Sequence, residues 1–131
     1  MLAYCTYCSA EKNHSQKLLP AIDLYKSHRI SKISDLSEKK GVKFIILSGK
    51  FGVVDVHQKI DYYDHLLKPS EVEGHAELVA SQLKEKKISH LVFYMSSIAH
   101  DKHIKPYADC MLEACAKSSI PIEIIEDYFN D

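Results

Sequence analysis

A chain of 131 residues, 46% apolar and 27% charged, has ordinary globular composition; this excludes a disordered chain and is long enough to bury a core in one domain, 1–131. The formal net charge of −1 excludes a global attraction to nucleic acid, and no apolar run approaches the ~20 residues of a membrane span. MLAYCTYC has no basic stretch ahead of a long apolar run, so a soluble cytoplasmic protein without a membrane partner is expected.

In chain order, Leu2–Tyr7 reads as a short buried strand, followed by a polar loop, Cys8–Gln16. Leu18–Tyr25 carries Pro20 and suggests a brief turn of helix. Ser27 can cap a helix to about Lys40, with Ile30, Ile33 and Leu36 on one face and Gly41 at its end. Val42–Leu47 is apolar almost throughout, as in strands covered on both faces. The stretch Val53–Leu67 has no clear period, and Ile60–Leu67 fits a short strand or an irregular segment. Pro69 and Ser70 open a helix to about Lys87, with Val72, His75, Val79 and Leu83 on one side. Ile88–Met95 is a further strand, Ser96–Lys105 a polar loop, and Pro106 the first turn of a helix to about Lys117. Ile120–Ile125 is the last strand, and the acidic tail Glu126–Asp131 is expected to fray. Strands alternating with helices predict an α/β fold: a mainly parallel sheet of about four or five strands with crossover helices, Rossmann-like and three-layered.

Four cysteines occur, at 5, 8, 110 and 115. Cys5 falls within an apolar strand, and Cys110 and Cys115 sit about 140° apart around a helix, so these three read as core residues rather than as a zinc site. A thiol redox pair of Cys5 and Cys8 is a weaker functional alternative, which burial of Cys5 would remove. The chain has eight histidines, but His100 and His103 with Asp101 form only a weak metal pattern. Neither a metal nor another cofactor is expected.

Ligands of parallel sheets bind beyond the carboxyl ends of the strands, which selects Cys8–His14, Ser48–Asp55 and Ser96–His103. Ser48-Gly49-Lys50-Phe51-Gly52 matches neither a Walker loop nor GxGxxG, yet its glycines and Lys50 suit a backbone approach to an anion, or simply a tight turn. Cys8-Ser9-Ala10-Glu11-Lys12 places a thiol, a hydroxyl and a cation in one loop, where a thiolate beside Lys12 would be a nucleophile. Asp61-Tyr62-Tyr63-Asp64-His65 offers rings that stack on a base and carboxylates that accept from it.

Two blocks carry a family likeness. Phe44–Asp64, FIILSGKFGVVDVHQKIDYYD, resembles the "LSxxYGxL…I.pYd" block of the YaaA-like superfamily, and CSAEK followed by AIDLYKS resembles that group's "CSxxK…ALYxS" block. The resemblance implies an α/β fold whose blocks meet in one cleft. It carries over Cys8, Ser9 and Lys12, then Tyr25 and Ser27, then Ser48, Lys50, Gly52, Tyr63 and Asp64. Ser96-Ser97-Ile98-Ala99-His100 departs from the family's glycine-rich turn, so no residue is carried over there. Links of the superfamily to nucleic acid imply an enzyme acting on a nucleobase or nucleotide, or on nucleic acid. In that reading Asp64, Cys8 and Lys12 are the catalytic candidates, Asp64 because a carboxylate in a partly buried cleft suits general acid/base work. Ser9, Tyr25, Ser27, Ser48, Lys50, Gly52 and Tyr63 are the ligand-binding candidates. The alternative from a different class is a non-catalytic DNA- or nucleotide-binding stress-response module.

Overall fold

The computed structural model describes residues 1–14 and 17–126. The tail expected to fray, residues 127–131, and the end of the first polar loop, residues 15–16, lie outside the described residues. A five-stranded sheet forms the frame, in the order β4-β3-β1-β6-β7. Strand β1 (Leu2–Tyr7) is central and parallel to both β3 (Lys43–Ser48) and β6 (His90–Met95), and β6 is parallel to β7 (Ile122–Glu126). Strand β4 (Gly52–Asp55) folds back on β3 as an antiparallel edge, so the sheet is mixed although mostly parallel. The apolar runs of β1, β3 and β6 are buried along nearly their whole length, which is why they are not alternating.

Helix α2 (His28–Lys40) starts where its cap was expected: the Ser27 hydroxyl accepts from the Ile30 N–H at 3.2 Å. It buries Ile30 and Ile33 and packs on β1 and β3. Helices α3 (Val72–Glu85) and α4 (Lys105–Ser118) pack against each other. Pro69 falls slightly early, in a 3-10 turn (Pro69–Glu71) that leads into α3, whereas Pro106 stands in the first turn of α4 as expected, behind the 3-10 turn Lys102–Ile104. The Leu18–Tyr25 region splits into a two-residue strand, β2 (Leu19–Pro20), and one turn of helix, α1 (Ala21–Leu24). Strand β2 pairs with β5 (Lys59–Ile60), and residues 61–68 are irregular, as one of the two readings of that stretch allowed.

The expected loop Ser48–Asp55 is only half a loop. Gly52–Asp55 is strand, and Asp55 is tied to Lys43 at 3.2 Å and to Lys86 at 3.3 Å. What remains at the sheet's carboxyl end is the tight turn Ser48–Phe51. Gly52 closes it with φ +77°, and a Cβ there would collide with the Gln82 Oε1. That amide cannot move freely, because it accepts from the Val53 N–H at 2.8 Å and donates to the Phe51 carbonyl at 2.9 Å. Gly52→Ala is therefore expected to cost about 2–4 kcal/mol of stability, from the left-handed backbone and the displaced amide together. Urea denaturation compares it with the parent, and a loss below about 0.5 kcal/mol would contradict the packing argument.

Candidate functional site

Beyond the carboxyl ends of β1 and β6 lies a cavity of about 640 Å³, within the range of roughly 300–1,000 Å³ typical of small-molecule sites. The first loop supplies much of its wall, including Cys8, Ser9 and Lys12. Cys8 prolongs the β1–β3 pairing, since its N–H donates to the Leu47 carbonyl at 2.9 Å. Ser9 turns inward and donates to the Glu11 carbonyl at 2.6 Å. Lys12 forms a bridge with Tyr25, and the Lys26 N–H donates to the Glu11 carbonyl at 3.0 Å, so the loop is pinned against the segment leading to α2.

The pinning buries Lys12 to 8% exposure. Its Nζ lies 4.6 Å from the Tyr63 ring centre and 5.9 Å from that of Tyr25. Its one hydrogen bond goes to the Ala10 carbonyl at a long 3.5 Å, and it makes no ion pair among the described residues. An aromatic face attracts a cation but leaves most of the ammonium's three donors unused.

Ser48, Tyr63 and Tyr25 form a chain of hydroxyls. The Ser48 oxygen accepts from the Lys50 and Phe51 N–H groups at 3.1 and 3.0 Å, so its own hydrogen donates to Tyr63 at 2.9 Å. Tyr63 and Tyr25 hydroxyls meet at 2.7 Å. Tyr107 stands nearby, accepting from the Leu67 N–H at 3.1 Å and from the Cys8 thiol at 3.7 Å. Burial first, then the proximity of Cys8, raises the pKa of Tyr25, Tyr63 and Tyr107 well above that of a free phenol.

The candidates thus divide. Cys8, Ser9, Lys12 and Asp64 line the large cavity. Lys50, Tyr63 and Asp64 line an adjoining one of about 510 Å³. Tyr25 and Ser48 stand behind these walls as partners of Tyr63. Ser27 caps α2, and Gly52 lies under Gln82. Asp64 reaches both cavities, but its side chain is exposed at the rim, so the partial burial expected for it is not found. Lys50 is exposed as well. Gly49 is crowded by the protein itself, since a Cβ there would meet the His65 carbonyl and the Tyr107 hydroxyl, both at 2.9 Å. Cys5 is fully buried, which leaves a redox pair with Cys8 without an accessible second sulfur. Among the described residues, no group of three or more His, Cys, Asp or Glu side chains is placed to hold a metal.

Several lining residues were not singled out from sequence, Arg29 and Tyr107 among them. Arg29, 1% exposed, donates from Nη1 to Thr6 Oγ1 at 2.6 Å and to the Tyr7 carbonyl, and from Nη2 to the Cys8 carbonyl at 3.4 Å. Its guanidinium lies 3.7 Å above the Tyr7 ring centre. A charged residue beside the buried positions Ile30 and Ile33 was the available signal. Tyr107 had one too: with Cys110, Met111 and Ala114 it continues the buried face of α4 into that helix's first turn.

Residues 5–126 match the model of a family of unknown function, DUF6884, and the chain belongs to that family. No curated protein and no solved structure matches the chain. No helix among the described residues is long and apolar enough to cross a membrane.

The raised phenols make stability depend on alkaline pH. Below about pH 10 both folded and unfolded chains hold these protons, and no dependence arises. Above it the unfolded chain releases them first, so stability falls as pH rises, by up to ~1.4 kcal/mol per pH unit for each phenol. Unfolding free energies measured from about pH 8 to about pH 11 should decline, and the decline should be shallower in Tyr25→Phe. Equal slopes in parent and variant would show that Tyr25 ionises as readily folded as unfolded.

Proposed function

We propose that this protein is an enzyme acting on a nucleobase or nucleotide bound in the cavity beyond β1 and β6. The observation that carries the reading is Lys12, a cation more than nine-tenths buried that lines the cavity without an ion-pair partner among the described residues. Burying such a charge costs on the order of several kcal/mol unless something of opposite charge completes it. An anionic ligand would do so. The rings of Tyr7 and Tyr107, with centres 5.9 Å apart, give one side of the cavity an aromatic surface. Asp64 at the rim is available to accept from a base amino group or a ribose hydroxyl.

The likeness of the CSAEK and SGKFG blocks to the YaaA-like superfamily supports the same reading. So does the topology. From β1 the chain moves to β3 on one side and later to β6 on the other, and ligands of doubly wound sheets bind at such a reversal. Right-handed crossovers in opposite directions favour a three-layer, Rossmann-like arrangement with α2 on one face and α3 and α4 on the other.

A thermal-shift screen against bases, nucleosides, nucleotides and short oligonucleotides tests the proposal. One small nucleotide or base is expected to raise the melting temperature. Lys12→Met should leave the free protein as stable as the parent or more so, because it removes a buried charge, yet lose most of the ligand shift. Asp64→Asn should fold normally and weaken binding. Full shifts in both variants would overturn the site; salt-sensitive stabilisation by oligonucleotides alone would favour a binding module.

A further inference from the structure

We propose that Cys8 is a covalent nucleophile that adds to an electrophilic C=O or C=N carbon of the bound ligand, with Tyr107 positioning its sulfur. This deepens the nucleotide reading, since heterocyclic bases contain such carbons, and it rests on the same cavity. The four cysteines are not equivalent. Cys5, Cys110 and Cys115 are at most 1% exposed, and burial pushes the thiols of Cys110 and Cys115 up to about 12 and about 11. Cys8 alone among the four lines the cavity.

Its backbone is held on both sides, the N–H by the Leu47 carbonyl at 2.9 Å and the carbonyl by Arg29 Nη2 at 3.4 Å. The sulfur therefore has a fixed origin. It donates to the Tyr107 oxygen at 3.7 Å. That oxygen also accepts from the Leu67 N–H at 3.1 Å, which leaves the Tyr107 hydrogen free to rotate onto the sulfur once the thiol proton has gone. The phenol keeps its own proton at neutral pH, because burial and the nearby sulfur both oppose its loss. Lys12, buried in the same wall without an ion-pair partner among the described residues, independently marks the cavity as a place where negative charge is received.

In the step itself the Sγ–C bond forms and the π pair moves to the oxygen or nitrogen. That atom ends with the proton that the sulfur gave up. Tyr107 donates a hydrogen bond and exchanges no proton with the ligand.

Iodoacetamide provides a test that needs no ligand; its carbon joins Sγ as iodide leaves with the C–I electron pair, and the thiol proton goes to solvent. The folded chain should take up one adduct, located at Cys8 by peptide mass mapping, at least about tenfold faster at pH 7 than the thiols of the urea-denatured chain. In Tyr107→Phe the rate should fall about tenfold at pH 7, and its pH profile should no longer superimpose on the parent's. Adduct counting shows whether that variant is folded, because an unfolded chain alkylates all four cysteines. If it is unfolded, the parent's rate ratio decides. Cys8 reacting no faster than denatured thiols, or superimposable profiles in a folded Tyr107→Phe, would overturn the proposal. Selective alkylation without any nucleotide shift would keep the nucleophile and discard the ligand class. A nucleotide shift with an inert Cys8 would do the reverse.

Discussion

A guanidinium buried at the end of the central strand organises both the sheet and the site. Arg29 reaches from the first turn of α2 and gathers Thr6, Tyr7 and Cys8, three consecutive residues of the chain as it leaves β1. A parallel strand normally releases its chain into a mobile loop, where unpaired backbone carbonyls face water. Here two of those carbonyls are fixed by a donor fork whose own charge rests on the Tyr7 ring. Burying a guanidinium is costly, and its hydrogen bonds to Thr6, Tyr7 and Cys8 help to offset that cost. The helix cap at Ser27 contributes indirectly: it sets where α2 begins, and therefore which residue of α2 sits over the strand end.

The site combines a rigid wall with an unfinished one. The rigid wall is backed by the hydroxyl chain Ser48–Tyr63–Tyr25, whose Ser48 end is oriented by two backbone N–H groups at the β3–β4 turn. Every member has a partner, which is the condition under which a buried polar network is stable. The unfinished wall is Lys12, with one long hydrogen bond and two aromatic neighbours. Folding tolerates it in part because the aromatic faces of Tyr63 and Tyr25 attract the ammonium. Such local disagreement with the ordinary rules of burial concentrates where a protein binds or reacts.

Much of the fold was legible because its signals are local. The apolar runs at Leu2–Tyr7 and Val42–Leu47, the Ser27 cap and the Gly41 stop each carry their own physics within a few residues. Strand β4 was not legible for the opposite reason. Val53 and Val54 are too short a pair to show a period, and their pairing with Leu47 and Ile46 is decided by a turn that Gly52 permits. Around the cavities, the residues that the family resemblance picked out differ in their surroundings in ways that the string of letters does not show. Ser48 and Tyr25 act on Tyr63, Asp64 sits at the rim, and Arg29 and Tyr107 come from helices that carry no motif. Nothing in a linear string shows that residues 7, 29 and 107 converge.

The Gln82 side chain, met above as the obstacle to a larger residue at Gly52, has another effect. Its amide presents one acceptor and one donor to the outward-facing backbone of Phe51 and Val53, as a neighbouring strand would. The β4 margin is thus occupied by a mimic borrowed from α3, one residue wide and unable to propagate. A second molecule aligning its own backbone along β4 would have to displace that amide first. The hairpin that shapes the turn at the cavity is thereby guarded against fibril-like stacking at its glycine end, where the charge of Asp55 at the far end of the same edge does not reach.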